Sequence, residues 1–201
     1  MTAANETSSK RRMRAPERRA QLLDVARKAF STKGFHGVSM EAVAKEAGVT
    51  KPILYDHFAS KQDLYLALID ADAASLEERV RTAINANTGN RERIQRSFQA
   101  YFDFVDEHAE GFRLVMQESV SPVNVSSTVD GVRERILAEI AGVIVHDSEG
   151  RLSPADATTV AVGLVAMVEA TAQRNPGSPE DDRKRQLDVL VQLAWRGITK
   201  L

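Results

Sequence analysis

The segment Ser39–Phe58 reads SMEAVAKEAGVTKPILYDHF, and it decides the interpretation of the whole chain. Ser39 is a favourable N-cap for a first short helix, and Gly48 ends that helix because glycine readily adopts the conformation of a tight turn. Thr50 caps a second short helix, in which Pro52 occupies a first-turn position whose amide needs no helical partner. The segment therefore predicts a helix, a glycine turn and another helix.

A longer helix precedes this segment, beginning at Pro16 and ending at Lys33-Gly34. Because two short helices cannot each bury an apolar face alone, we expect them to pack on the first helix as a three-helix unit. Its expected core comprises Val25, Ala29, Phe30, Ala42, Val43, Ala47, Val49 and Leu54. A helix start that is rich in donors suits insertion into the DNA major groove, whereas a generic three-helix packing unit is the alternative.

The remaining sequence predicts six more helices and no strand. Ser60 with Asp63 resembles a capping box, and Ser153-Pro154-Ala155-Asp156 combines an N-cap, a first-turn proline and an acid. Ser178-Pro179-Glu180-Asp181 repeats that start signal. The expected fold is all-α with nine helices, the last six covering about 61–86, 90–108, 110–119, 127–146, 153–174 and 178–197.

The composition excludes several classes of protein. The 201 residues include 43% hydrophobic residues, which is too many for a disordered chain. The lack of cysteine excludes disulfide scaffolds, thiol catalysis, zinc fingers and iron–sulfur sites, and it fits a reducing cytoplasm. The longest apolar run, Val160 to Val168, is far shorter than the roughly 20 residues of a membrane helix. The basic N-terminus has no apolar core and is unlike a secretory signal.

The charge is distributed unevenly along the chain. Residues 1–60 carry 11 Lys and Arg against 6 Asp and Glu, a net +5, whereas the remainder carries 16 against 22, a net −6. A basic head on an acidic body indicates a head that meets a polyanion. Residues 1–14 read as a disordered arm that either contacts DNA or is a solvated tail, with its charge on Lys10, Arg11, Arg12 and Arg14.

The stretches FHGVSMEAVA, from Phe35 to Ala44, and AGVTKPILYDHFASK, from Ala47 to Lys61, resemble the DNA-binding domain of TetR-family repressors. This resemblance covers about residues 17–66. The runs at 100–105, 161–165 and 193–195 more weakly resemble the actinobacterial branch of this family, which controls fatty-acid synthesis genes and senses long-chain acyl-CoA. The resemblance implies a helix-turn-helix DNA-binding domain over 15–60 and a ligand-binding and dimerisation domain over 61–201.

The resemblance also implies roles for single residues of the head. Lys51 would reach a phosphate or a guanine edge, and Ile53 a thymine methyl. Tyr55 and His57 would contact phosphates, with core packing of Tyr55 and a purely structural His57 as alternatives. The expected DNA contacts are Ser39, Thr50, Lys51, Pro52, Ile53, Tyr55, His57 and Lys61.

The resemblance implies that the body dimerises through its last two helices. Small residues in the helix 153–174 permit close approach of a second helix, and this helix is apolar almost all round. A second protomer is one way to cover it, and a monomeric buried core is the other. The expected interface residues are Ala157, Ala161, Gly163, Ala166, Ala170, Leu187, Leu190, Val191, Ala194 and Ile198, with Trp195 at its edge.

Aromatic and methionine side chains gather between positions 98 and 116 and indicate either plain core or an apolar ligand cavity. Helix 127–146 adds an aliphatic face with Ile136, Ile140, Val143 and Ile144. The expected ligand contacts are Phe98, Tyr101, Phe102, Phe112, Met116, Ile140 and Met167. Such a lining favours a long acyl chain, whereas a flat aromatic or cationic drug is the alternative. Glu169 would attract such a cation or, more simply, lie at the surface.

The sequence lacks the motifs of common enzymes. None of the four histidines has metal-binding spacing, and no glycine-rich phosphate loop or nucleophile elbow occurs. The acidic cluster Asp103, Asp106, Glu107 and Glu110 reads as a solvated helix face, so no cofactor or metal is expected. We predict a homodimeric, ligand-responsive repressor of a palindromic operator. A helical protein-interaction module is the alternative, and it would not bind DNA in a salt-dependent way.

Overall fold

The computed structural model describes residues 13–108, 126–174 and 178–198, without the side chains of residues 126, 128 and 198. All the regular elements in these ranges are α-helices, which confirms the all-α prediction. The predicted helix 110–119 and the arm residues 1–12 lie outside the described residues. The helices are α1 (Ala15–Gly37), α2 (Met40–Glu46), α3 (Lys51–His57), α4 (Lys61–Ile84), α5 (Asn90–Glu107), α6 (Ser126–Asp147), α7 (Pro154–Arg174) and α8 (Glu180–Ile198).

The chain divides into two compact units, the first ending at Tyr65 and the second beginning at Leu66. This division falls inside α4, a few residues after the predicted boundary at 60/61. The reason is that the first turn of α4 packs into the first unit: Leu64 is fully buried and Tyr65 almost so. Helix α4 is therefore one continuous element that begins in the first unit and ends in the second.

In the first unit, the predicted Ser39 cap and Gly48 turn are confirmed, whereas Thr50 occupies the predicted N-cap position of α3 without a side-chain capping bond. The Ser39 hydroxyl accepts a hydrogen bond from the amide of Ala42 at 3.1 Å and so caps α2. Gly48 has φ +66°, the left-handed conformation that glycine adopts without steric strain. The turn directs α3 so that Leu54 is completely buried, and α3 packs against α2.

Lys61 and a cluster of aromatic rings fix the start of α4 against the end of α1. The Tyr65 ring meets the rings of Phe30 and Phe35 edge-on, with centroids 5.2 and 5.1 Å away. The Lys61 ammonium donates to the backbone carbonyls of Phe35 and Val38 at 3.0 Å each and lies 4.5 Å from the Phe35 ring centroid. Lysine therefore satisfies two carbonyls near the C-terminus of α1, where the helix leaves such groups unpaired.

The second unit is a bundle in which α7 packs on α6 and α8 packs on α5. The predicted N-cap of α7 is confirmed, because the Ser153 hydroxyl accepts a hydrogen bond from the amide of Asp156 at 3.2 Å. One core cluster joins α5, α7 and α8 around Phe102, Val105 and Val191. A second joins α4, α6 and α7 around Ala157 and Ala161, both completely buried. Helix α7 contributes to both clusters.

By length and composition, α7 passes the test for a membrane-spanning helix: its best 18-residue window has a mean hydropathy of 1.3. The nine-residue apolar run considered from sequence understates this property, because alanines on either side of the run also raise the mean hydropathy. Within the bundle, one face of α7 is buried from Ala157 to Ala172. A helix that serves two core clusters requires apolar residues on its buried side, so packing within the protomer explains that side of α7.

The contacts of Lys61 predict a stabilising role for its side chain. We expect Lys61→Met to lower the free energy of unfolding by about 1–2 kcal/mol, since two carbonyls lose a charged donor. Thermal unfolding followed by circular dichroism measures this change. Lys28→Met, at an exposed position of α1, is the matched control and should melt like the parent. Equal melting of both variants would contradict the role given to Lys61.

Candidate functional site

Helix α3 presents an exposed face of mixed apolar and polar side chains. Ile53 and Tyr55 belong to the few exposed large hydrophobic residues of the described chain, and the Tyr55 residue is 40% exposed. The completely buried Leu54 between them anchors the helix. The expectation that Ile53 and Tyr55 point outward is thus confirmed, and Tyr55 is not a core residue. A short helix anchored by one residue and exposed around it has the geometry of a groove-reading helix.

Lys51, at the first position of α3, is paired within the unit. Its ammonium forms an ion pair with the carboxylate of Glu41, and it lies 5.7 Å from the centroid of the Tyr55 ring. The hydrogen bond to Glu41 raises the pKa of Lys51, and the same bond lowers the pKa of Glu41. Both side chains are exposed, so an approaching phosphate can replace Glu41 as the partner of Lys51.

Three of the other predicted DNA contacts are exposed, and the fourth, His57, is half-buried. Thr50 and Pro52 are exposed, and the Thr50 side chain makes no capping bond, which leaves its hydroxyl at the surface. Ser39 is exposed as well, although its hydroxyl already accepts from the α2 backbone. His57 is half-buried, with its ring centroid 6.3 Å from that of Phe58. Thr50, Pro52 and His57 lie at the start and the end of α3, and Ser39 lies at the start of α2.

The phosphate contact of Lys61 stays a prediction, and the structure shows internal contacts that the sequence did not predict. Its ammonium is engaged by the carbonyls of Phe35 and Val38, and the side chain is only half-exposed. The sequence places a lysine at a helix start but does not reveal that the end of α1 lies beside it. We therefore assign Lys61 to the internal structure of the first unit.

The second unit encloses a cavity of about 320 Å³. Its wall follows α5 from Asn90 to His108 and α6 from Val129 to Asp147, which is about 27 Å of helix in each case. Helices α4, α7 and α8 complete the wall, which is mostly aliphatic and aromatic. A long apolar space with a few polar side chains is a typical binding site for an apolar small molecule.

Only some of the predicted ligand-binding residues line the cavity. Phe98, Tyr101 and Ile140 line the cavity, as do the other aliphatic residues predicted on α6. Phe102 and Met167 do not line it: Phe102 is buried in the core cluster of α5, α7 and α8, and Met167 packs against that cluster. The one-dimensional apolar pattern does not separate the core side of a helix from its cavity side. Two further predicted contacts, Phe112 and Met116, lie outside the described residues.

Helix α4 supplies a side of the cavity that the sequence reasoning missed. Leu76, Val80 and Ile84 line it at spacings of four residues, with Ala73 and Ile69 one and two turns earlier. The signal was present in the helical periodicity of α4. Trp195, expected at the edge of a dimer interface, is also a cavity residue.

Three pairs of polar side chains interrupt the apolar wall. The Arg93 and Asp147 side chains approach to 2.6 Å, and His108 Nε2 lies 3.8 Å from a carboxylate oxygen of Asp72. The third pair joins Arg133 of α6 to Glu169 of α7 at 2.6 Å. Among the described residues, no group of three or more potential metal ligands occurs.

Glu169 is a half-buried residue of the cavity wall, with a side chain only 18% exposed. The surface position expected from the sequence is therefore wrong. Burial raises the pKa of Glu169, and the Arg133 guanidinium opposes this rise. Burial also raises the pKa of Tyr101. Because Arg133 already neutralises Glu169, this carboxylate is a weak attractor for a cationic ligand.

The exposed apolar face of α7 and α8 differs from the one predicted. Ala157 and Ala161, like Leu187, Leu190, Val191 and Ala194, are buried within the protomer, so they are not available to a second chain. Gly163, Ala166 and Ala170 are exposed, as predicted. The large apolar residues beside them are Val162, Val189 and Leu193, the last two each 59% exposed.

Models of known protein families match both units of the chain. Residues 22–68 match the model of bacterial regulatory proteins of the tetR family. Residues 90–197 match a tetracyclin repressor-like C-terminal domain. Together these matches cover the helix-turn-helix segment and most of the cavity-bearing unit.

Relatives and solved structures agree with the family models. The chain is 35% identical over 191 residues to the HTH-type transcriptional activator FasR of Mycolicibacterium smegmatis, with 94% of this chain and 86% of FasR covered. A TetR-like regulator from Rhodococcus sp. RHA1 is 30% identical with a TM-score of 0.69, over 94% and 99% of the two chains. FadR of Bacillus subtilis, in complex with stearoyl-CoA, shares the fold at 16% identity and a TM-score of 0.67, over 89% and 96%. The chain thus belongs to the TetR family of ligand-responsive, DNA-binding transcriptional regulators and is not an enzyme.

Proposed function

We propose that the protein is a cytoplasmic homodimer that binds a palindromic operator through α3 and senses a long-chain acyl compound, either a fatty acid or its coenzyme A thioester. The observation that carries the ligand assignment is the elongated apolar cavity between α4, α5 and α6. The observation that carries the DNA assignment is the exposed face of α3, with Lys51 at its first residue.

The length of the cavity favours a chain over a flat ring system. The lining residues include both Asn90 and His108, so the cavity extends along most of α5, as an extended chain requires. The FadR complex with stearoyl-CoA illustrates that this fold accommodates a long acyl chain. A flat cation is disfavoured because Arg133 already neutralises Glu169 at the cavity wall.

The exposed apolar residues support a dimer through α7 and α8. Val162, Val189 and Leu193 would be solvated in a monomer, and the small residues Gly163 and Ala166 allow a second helix to approach closely. A two-fold dimer would present two copies of α3 to successive major grooves, about 34 Å apart along B-DNA. Dimerisation is therefore a requirement for operator binding in this proposal.

Helix α4 is the proposed link between ligand and DNA. It begins beside α1 in the DNA-binding unit, and its later residues line the cavity. A ligand that binds one arrangement of α4 more tightly than another shifts the population of dimers whose heads match the operator spacing. Repression is the predicted direction, and the activator name of the FasR relative favours activation as the second candidate.

Two substitutions on α3 test the DNA assignment. We expect Lys51→Ala and Tyr55→Phe to weaken operator binding while the melting temperature stays nearly unchanged, because both side chains are exposed. Loss of the Lys51 phosphate contact should lower the slope of log affinity against log salt by about one unit. Lys28→Met, at an exposed α1 position outside α3, is the control. An unchanged operator affinity in both α3 variants would contradict the assignment.

Charge placed on α7 or α8 tests the dimer. Ala166→Glu and Leu193→Glu should yield monomers in light scattering and abolish operator binding, because a charge cannot be desolvated in an apolar interface without a partner. Ala138→Glu places the same charge on the exposed side of α6 and should stay dimeric. A Leu193→Glu protein that remains dimeric would contradict an interface that contains Leu193.

The acyl assignment predicts a chain-length series. Each added methylene contributes up to about 0.8 kcal/mol, so affinity should rise up to about fourfold per carbon until the cavity is full. The measurement is the operator affinity titrated with fatty acids and acyl coenzyme A of increasing length. Ile140→Trp should shorten the optimal chain by filling the cavity, whereas Ala138→Trp, on the exposed side of α6, should not. Equal responses to all chain lengths, with a strong response to an aromatic cation, would reject the acyl proposal.

A further inference from the structure

The cavity has polar groups at opposite ends of its wall. At the start of α5, Arg93 is paired with Asp147, the last residue of α6. At the other end of α5, His108 lies beside Asp72 of α4. The stretch 93–108 covers about 22 Å of helix, so the two polar regions are separated by most of the length of the cavity wall.

These two regions differ in charge. The lining near the start of α5 contains two arginines and one acid: Arg93, Arg151 and Asp147. The remaining charged lining residues, with histidine counted as neutral, are two acids and one arginine: Asp72, Glu169 and Arg133. The first region therefore carries a net +1 and the second a net −1. A ligand with one anionic end is electrostatically favoured with that end at the start of α5.

Arg151 is held at this end by the tight turn between α6 and α7. Glu149 and Gly150 both have positive φ, +52° and +86°, and for Glu149 this conformation is uncommon. The turn brings the Arg151 Nε to 3.0 Å from the carbonyl of Ser148, to which it donates. No ion pair of Arg151 with a carboxylate is found among the residues that the structure describes. Arg151 is exposed and also lines the cavity, so its remaining guanidinium N–H groups are accessible to a ligand.

Asn90 adds a further donor at this end. Its side-chain carbonyl accepts from Arg93 at 2.5 Å, which orients the amide N–H groups away from that arginine. Asn90 is exposed and lines the cavity, so these N–H groups are accessible to a ligand. Guanidinium and amide donors in one place match the oxygens of a carboxylate or a phosphate.

We propose that Arg151, with Arg93 and Asn90, binds the anionic end of an amphipathic ligand whose apolar chain occupies the cavity. This inference rests on the proposed acyl function and adds the orientation and charge of the ligand to it. The anion is either the carboxylate of a fatty acid or a phosphate of an acyl coenzyme A. Both present oxygens that arginine binds through paired N–H donors.

The binding test compares ligands that share one chain and differ at the end. The probes are dodecanoate, dodecanol, dodecylammonium and dodecanoyl coenzyme A, each below its micelle concentration. Trp195, the single tryptophan, lines the cavity, so its fluorescence reports occupancy directly. We expect dodecanoate or dodecanoyl coenzyme A to bind about tenfold more tightly than dodecanol, and dodecylammonium to bind most weakly. Added salt should weaken anion binding and leave dodecanol unaffected.

Arg151→Gln is the decisive variant, because Arg151 makes one backbone hydrogen bond and its loss should leave the fold intact. We expect anion affinity to fall about tenfold with dodecanol affinity unchanged. If only the thioester loses affinity, the bound anion is a coenzyme phosphate; if dodecanoate loses it, the anion is a carboxylate. Arg135→Gln removes an arginine that pairs with Glu77 and does not line the cavity, and it is the control.

Two further outcomes distinguish this inference from the acyl function itself. If dodecanoate, its thioester and dodecanol bind equally in the parent and in Arg151→Gln, the anionic site is wrong and the apolar cavity stands. If none of the four probes changes the Trp195 fluorescence or binds by calorimetry, both proposals fail. Equal melting temperatures of parent and variants, measured by circular dichroism, would show that a loss of affinity is not caused by unfolding.

Discussion

One helix, α4, has to satisfy two hydrophobic cores, and this constraint organises the molecule. Its first turn is tied to α1 by the two hydrogen bonds of Lys61 and by the Tyr65 ring between two phenylalanine rings. Its later residues belong to the core cluster and the cavity wall of the second unit. In the proposed regulation, a displacement of the cavity-lining part of α4 is carried along this helix to its first turn. The continuity of α4 is thus the physical basis of the proposed regulation.

The DNA-binding unit was predictable from the sequence because its signals are local. A serine cap, a glycine with positive φ and a proline in the first turn act within a few residues, and the structure has each where the sequence places it. Lys61 is the exception. Its partners, Phe35 and Val38, are more than twenty residues away, and no short-range pattern reveals which carbonyls a lysine will meet.

The body was less predictable because α7 is apolar on all sides. Small residues occur on both of its faces, so composition alone does not distinguish Ala161, completely buried in the protomer, from Ala166, which is exposed. The same ambiguity affects α8, where the regular stripe including Leu190 packs inward and Leu193 is left outside. Only packing against α5 and α6 decides which face is covered. The pairing of Glu169 with Arg133 was not predictable for a similar reason, since the two residues lie on different helices.

The central claim is that occupation of the cavity changes the arrangement of the two DNA-reading heads. The chain has no cysteine, so Asp56→Cys, at an exposed position of α3, provides one spin-label site per protomer. Pulsed electron resonance then measures the distance between the two labels of the dimer, with and without a bound long-chain acyl compound. We expect the distance distribution to shift on binding and the same ligand to change operator affinity. Saturating ligand with an unchanged distribution would contradict it.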